Sequence, residues 1–321
     1  MASERIAFTD FWPGFNARPS LLHEAIGKLG IVITNDPSEA TTIIHSDFGR
    51  RHWGQDGRTI HFSGENVLPD FSSCDAAITS ALLTHERHYR LPYWAFSCTE
   101  SERLTTARRD GSAHAANHSG FCSFVASNPR APERNRVFRA LHCRIPVDSG
   151  GRCFNTIGTP VADKRSFLAA HRFNLCFENS SSPGYTTEKI VDAFLAGTIP
   201  IYWGNPEVGR DFNPRSFINA QDFHDVESLT DEVARLWSDR EQCIEILSEP
   251  IFTTEAQRAP LDVENLCAAL DRFLTMPLVQ RPLKRTQRRL RAHCYRSHLH
   301  HSFVSFSCRI DALLWRLGWH R

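Results

Sequence analysis

FNLCFENSSSPGYTTEKIVDAFLAGTIPIYWGN, residues 173–205, decides the fold. Phe173, Leu175 and Phe177 alternate with smaller residues, the pattern of a buried strand. Glu178, Asn179 and a Ser-Ser-Ser-Pro-Gly loop lead to Tyr185. Thr186 or Thr187 can cap a helix whose positive N-terminus favours Glu188. Ile190, Ala193 and Phe194 make its inner stripe, and Gly197 can end it. The apolar run from Ile199 to Trp203 is the next buried strand. Loops at the carboxyl ends of parallel strands, opening onto helix N-termini, are where α/β proteins hold phosphates. A loop carrying Asn179, Tyr185, Glu188 and Lys189 is therefore a candidate site.

The same alternation extends in both directions. Before it, Ile6–Phe8, Gly30–Ile33, Thr41–Ile44, Thr59–Phe62 and Ala76–Thr79 are apolar runs of strand length, with a helical segment from Ser20 to Leu29. From Thr99 to Gly120 the pattern dissolves into polar residues, which reads as a linker or loop. A second α/β unit begins at Phe121–Val125 and continues through a helix near Arg134–His142, the opening stretch, a strand at Phe217–Ile218, and helices at Leu229–Trp237 and Cys243–Leu247. The expected division is residues 1–117, residues 118–276 and a C-terminal tail, 277–321.

With 321 residues, 41% of them apolar, the chain can bury two cores and is not disordered. Its net charge of +1 conceals an asymmetry. Residues 281–321 hold ten Lys or Arg against one acid, Asp311, so the tail carries +9 and the remainder −8. The ten cysteines form no CxxC pair, which speaks against zinc or dithiol chemistry and for reduced thiols. Cys122 and Cys176 fall inside strands as small core residues. MASERIAFTDFW lacks a basic region followed by an apolar one, and no run of about 18 apolar residues occurs, so neither a signal peptide nor a transmembrane helix is expected.

Two further segments could carry chemistry. Glu65, in Phe62-Ser63-Gly64-Glu65-Asn66, follows a strand directly, and Gly64 permits a turn there. A carboxylate at a sheet's carboxyl edge can accept a proton from an attacking hydroxyl, although a solvated turn glutamate would look the same. Arg134, in Ser127-Asn128-Pro129-Arg130-Ala131-Pro132-Glu133-Arg134-Asn135, starts a helix after a strand. Its guanidinium can grip a diphosphate bidentately or simply be a solvated helix residue.

The FENxxxxGYxTEK pattern, continued through IPIYWG to Asp211-Phe212-Asn213-Pro214-Arg215-Ser216-Phe217, resembles the signature of the α-1,3/4-fucosyltransferase family. The SGEN and SNP–RN segments are similar to others of that family. The likeness runs over roughly residues 55–225 and is strongest from 121 to 219. It implies two Rossmann-like domains facing across a cleft, the GT-B arrangement. It also implies an inverting transfer of L-fucose from GDP-fucose to a glycan hydroxyl, with O3 of N-acetylglucosamine in lactosamine-type glycans as the expected position. By resemblance Glu65 is the general base, and Arg134, Asn179, Tyr185, Glu188 and Lys189 form the donor site. The first unit would take the glycan acceptor and the second the nucleotide sugar. A non-catalytic nucleotide-sugar or glycan-binding relative on the same scaffold is the alternative; it would have lost charged donor-site residues, and none is lost here.

No Asp-x-Asp pair and no HExxH pattern occurs, so Arg134 and Lys189 are expected to neutralise the diphosphate. No tightly bound cofactor or metal is expected, with divalent cations at most stimulating. In the tail, arginines from Arg281 to Arg296 precede Phe303, Phe306, Ile310, Leu313, Leu314 and Leu317 at helical spacing, ending near Trp315 and Trp319. Such a basic amphipathic helix either docks on an anionic membrane surface or packs back on the body. Nucleic acid would explain its charge but not its apolar stripe. The location this implies is cytoplasmic, with peripheral attachment to the inner face of a membrane as one use of the tail.

Overall fold

A computed structural model of the chain describes residues 4–54, 57–99, 102 and 110–279. The basic tail, residues 281–321, lies outside the described residues, and so does its proposed amphipathic helix.

The first sheet contains β1 (Arg5–Thr9), β2 (Val32–Ile33), β3 (Thr42–His45), β4 (Arg58–Ser63), β5 (Ala76–Thr79) and β6 (His88–Arg90). They lie in the order β2-β1-β3-β4-β5-β6, every pair parallel. Helix α1 (Leu21–Lys28) is capped by the Ser20 hydroxyl on His23 N and buries Leu21, Leu22, Ala25 and Ile26. A short helix α2 (Tyr93–Ser97) follows β6.

The second sheet contains β7 (Gly120–Phe124), β8 (Asp148–Ser149), β9 (His171–Phe177), β10 (Ile199–Trp203) and β11 (Ile218–Asn219), in the parallel order β11-β10-β9-β7-β8. All seven residues of β9 are buried, as befits a central strand covered on both faces. Each sheet reverses its strand order once: between β1 and β3 in the first, and between β7 and β9 in the second. Open parallel sheets offer their ligand crevices outside the carboxyl ends of the strands at such reversals. The expectation of two Rossmann-like α/β domains holds.

The segment from Thr99 to Gly120, expected as a loop, is corrected in part: residues 111–117 form helix α3 (Gly111–Asn117), started by the Asp110 carboxylate on Ala113 N at 2.9 Å. Its signal is faint because its contact face is made of Gly111 and Ala115. A Cβ on residue 111 would lie 2.5 Å from the Ile244 carbonyl oxygen, so the helix depends on the missing side chain for its approach.

Helices α4 (Pro132–Arg144), α5 (Lys164–Ala169), α6 (Glu188–Leu195), α7 (Val226–Ser238), α8 (Arg240–Ser248) and α9 (Glu255–Arg258) follow. The last described helix, α10 (Val263–Thr275), returns to the first sheet's side, where Leu266, Cys267, Ala269, Leu270 and Phe273 join the cluster of α1 and β1. That cluster also takes in Ile190, Val191 and Phe194 of α6 and Phe212. The helix that opens at Glu188 is thus packed against the first domain.

Candidate functional site

The second crevice holds a cavity of about 200 Å³, lined by Phe124–Asn128 after β7, Asn174–Phe177 and Asn179 on and after β9, and the side of Arg134, Lys164, Glu188 and Lys189. Four sequence-derived site residues, Arg134, Asn179, Glu188 and Lys189, share its wall. They come from three places: the first turn of α4, the end of β9 and the first turn of α6. Pro132 at the start of α4 and the chain turn at Asn128–Ala131 aim Arg134 inward, where it is only 2% exposed. Arg134 Nη1 donates to Asn179 Oδ1 at 2.8 Å, and Nη2 donates to the Asn128 carbonyl. Its Nε–H is buried without a protein acceptor. Burial pulls its pKa down, but a guanidinium stays protonated at any working pH. The cavity therefore holds a fixed positive charge with a donor to spare.

Lys189 is held by a carboxylate that the sequence reading passed over as a site residue. Glu178, directly after β9, has no solvent exposure. It accepts from Thr187 N at 2.7 Å, Thr187 Oγ1 at 2.8 Å and Lys189 Nζ at 3.0 Å. Thr187 occupies the N-cap position of α6, yet its hydroxyl makes no cap bond: it donates to Glu178 and accepts from Lys189 Nζ at 2.7 Å. Burial would push Lys189 down, but the Glu178 and Glu188 carboxylates outweigh it and hold the ammonium charged. Burial pushes Glu178 up, with Lys189 and the Thr187 donors pulling against it. Glu188, 3.6 Å from Lys189, is lowered: burial opposes ionisation, and Lys189 and Lys164 overcome it. Tyr185 is packed at 4% exposure and stands outside the cavity wall, its phenol pushed up by burial.

Lys164 was missed, although it lines the cavity and pairs with Asp192. A readable signal existed: it is a cation in the first turn of α5, where the helix dipole disfavours one.

Glu65 stands across the cleft, exposed, in the turn after β4. Gly64 is required for a reason other than the turn itself: a Cβ there would sit 2.6 Å from Tyr93 Cδ2, so the first turn of α2 could not close on this loop. Asn66 ties the turn to the second domain, donating through Nδ2 to Ser180 Oγ at 2.8 Å and accepting from Ser182 Oγ. Partial enclosure by the cleft walls raises the Glu65 pKa, and Asp47 adds to this; Lys189 opposes it, and Glu188 and Glu178 add a little more. Asn66 came with the SGEN segment, but its bond across the domains was not visible in it. Among the described residues no group of three or more His, Cys, Asp or Glu is arranged to hold a metal ion. Nor is any described helix long and apolar enough to cross a membrane.

Two Rossmann-like parallel α/β domains facing each other are the arrangement of the GT-B fold class. Residues 6–97 match the model of the alpha-(1,3)-fucosyltransferase FucT N-terminal domain, and residues 115–249 match that of the glycosyltransferase family 10 (fucosyltransferase) C-terminal region. The chain belongs to glycosyltransferase family 10, the fucosyltransferases. It is 37% identical over 235 residues to alpha-(1,3)-fucosyltransferase FucT of Helicobacter pylori, covering 63% of this chain and 49% of that protein. An alpha-(1,4)-fucosyltransferase of Arabidopsis thaliana is 29% identical over 136 residues, 36% of this chain and 34% of that one. The chain spans half or less of the length of these curated relatives. A crystal structure of an alpha1,3-fucosyltransferase with GDP-fucose superposes with a TM-score of 0.73 at 28% identity, covering 87% of this chain and 93% of that chain.

Proposed function

We propose that this chain transfers L-fucose from GDP-fucose to a glycan hydroxyl with inversion, O3 of N-acetylglucosamine in a lactosamine-type glycan being the expected position. The observation that supports the reading is the bond of Asn66 to Ser180, which ties the Glu65 turn to the loop that follows Asn179, a residue of the cavity wall with Arg134 and Lys189. Arg134, with Lys189, takes the negative charge that grows on the departing diphosphate, where fixed donors in an enclosed site act most strongly. Asn179 and Glu188 line the same cavity and, with the buried Tyr185, complete the donor site. The acceptor oxygen forms its bond to C1 of fucose as the C1–phosphate bond breaks and GDP leaves with the electron pair. Glu65 takes the hydroxyl proton. A carboxyl raised above its ordinary range is a stronger base once ionised, which suits it to a weakly acidic sugar hydroxyl.

The test is incubation of the purified full chain with labelled GDP-fucose and a panel of lactosamine-type acceptors. A fucosylated product of opposite anomeric configuration to the donor is expected. GDP-fucose binding with no transfer to any acceptor would instead make the protein a binding relative on this scaffold.

A further inference from the structure

The reversal point of the first sheet lies between β1 and β3, and its loops carry a row of groups that the donor site does not use. At one end, the Asp10 carboxylate accepts from Arg51 N at 2.9 Å and His52 N at 3.0 Å, and lies 2.6 Å from His52 Nδ1. His52 stacks on His45 with ring centres 3.7 Å apart, and His45 stacks on His61 at 5.2 Å. His61 Nε2 lies 2.9 Å from Asp47 Oδ1. The other Asp47 oxygen accepts from the Ser63 hydroxyl. Ser63 Oγ in turn accepts from the backbone N–H of Glu65 at 3.1 Å. The row thus ends on the residue read as the base.

Asp47 pairs with His61 through one oxygen and supports the Ser63–Glu65 turn through the other. It follows β3, beside β4 in the sheet, and its side chain is only 24% exposed. The charged groups facing Glu65 are Asp47 from the first domain and Lys189, Glu188 and Glu178 from the second, with the Tyr93 phenol beside them on α2. Among the described residues, the charge named against Glu65 from its own domain is that of Asp47, a negative one.

We propose that Asp47 is a positioning residue for Glu65, holding the Ser63–Glu65 turn through the Ser63 hydroxyl and facing the base with a second negative charge. This rests on the reading of Glu65 as the base. The tether fixes where the carboxyl stands relative to the acceptor hydroxyl, and a displacement of about 1 Å there is worth up to about 10²-fold in rate. The like charge opposes ionisation of Glu65 and so makes its ionised form more basic.

The experiment is the pH dependence of kcat/KM in the full chain, with GDP affinity measured alongside by calorimetry, for Glu65→Gln, Asp47→Asn and Ser63→Ala. Glu65→Gln should lose transfer at every pH and keep GDP binding; wild-type transfer in that variant would remove the base reading itself. Asp47→Asn should move the acid limb to lower pH, because a neutral amide no longer opposes ionisation of Glu65. Ser63→Ala should lower kcat/KM by roughly ten- to a hundredfold across the profile, with GDP affinity unchanged. An unmoved acid limb in Asp47→Asn, or wild-type turnover in Ser63→Ala, overturns the proposal while leaving the base reading intact. If Asp47→Asn does not fold, Ser63→Ala, which keeps the Asp47 charge, decides alone.

Discussion

Lys189 Nζ lies 3.0 Å from Glu178 Oε2, a carboxylate with no exposure to solvent, and the same carboxylate also accepts from Thr187 N and Oγ1. The cation expected to receive the leaving diphosphate is thus preset by a fixed anion beneath it. Positioning precedes the ligand, so little reorganisation is left for the transfer step.

Removing that anion should be costly. Glu178→Gln keeps the shape but leaves the ammonium without its buried counter-charge, and breaking one side of a buried pair costs about 3 kcal/mol. Urea denaturation should show this loss, and added GDP should restore more stability to the variant than to the parent, because its phosphates replace the missing charge.

Arg134 tests the donor site itself. Its fork reaches Asn179 Oδ1 and the Asn128 carbonyl at once, a geometry that a lysine cannot reproduce. Both Arg134→Ala and Arg134→Lys should weaken GDP binding by about 1.5–3 kcal/mol, measured by calorimetry, with the lysine giving little rescue.

Glu65 should reveal itself in the pH profile. Its carboxyl is raised above the ordinary range, and the base works only when ionised. Transfer should therefore climb with rising pH through an acid limb set above that of an ordinary glutamate, and fall as pH drops below it. Glu65→Gln should lower kcat by about 10²- to 10⁴-fold, with GDP binding preserved.

Another fixed contact joins the two domains. Arg90, at the end of β6, donates to both oxygens of Asp211 at 2.8 Å and to the carbonyls of Ser80 and Gly184 at 3.1 Å. Asp211 is fully buried and also accepts from Thr186 Oγ1 at 3.1 Å. Arg90→Ala strands that carboxylate and should destabilise the fold by about 3–5 kcal/mol in urea titration, with the domain cleft widened in solution scattering.

The second sheet and its site loop were legible because their evidence is local. Phe173, Leu175 and Phe177 alternate, and the helix stripe of Ile190, Ala193 and Phe194 is fully or nearly fully buried. Asn179, Glu188 and Lys189 stand within a few residues of one strand end and one helix start. Arg134 and Glu65 were legible only through resemblance: by its neighbours alone Arg134 reads equally as a solvated charge, and Glu65 reads more readily as a solvated turn residue. Helix α3 escaped because it buries Gly111 and Ala115, which carry no hydrophobic period.

Two parallel α/β units and the family can be read from residue order, because strand alternation, helix stripes and a contiguous motif are short-range properties of the chain. Which charge faces which is fixed in the folded molecule. Glu178 beneath Lys189, Arg90 on Asp211, Asp47 behind Ser63 and Asn66 on Ser180 join residues from 11 to 121 positions apart. Electrostatic and hydrogen-bond energies depend on separation in space and on burial, and neither is written in the order of residues.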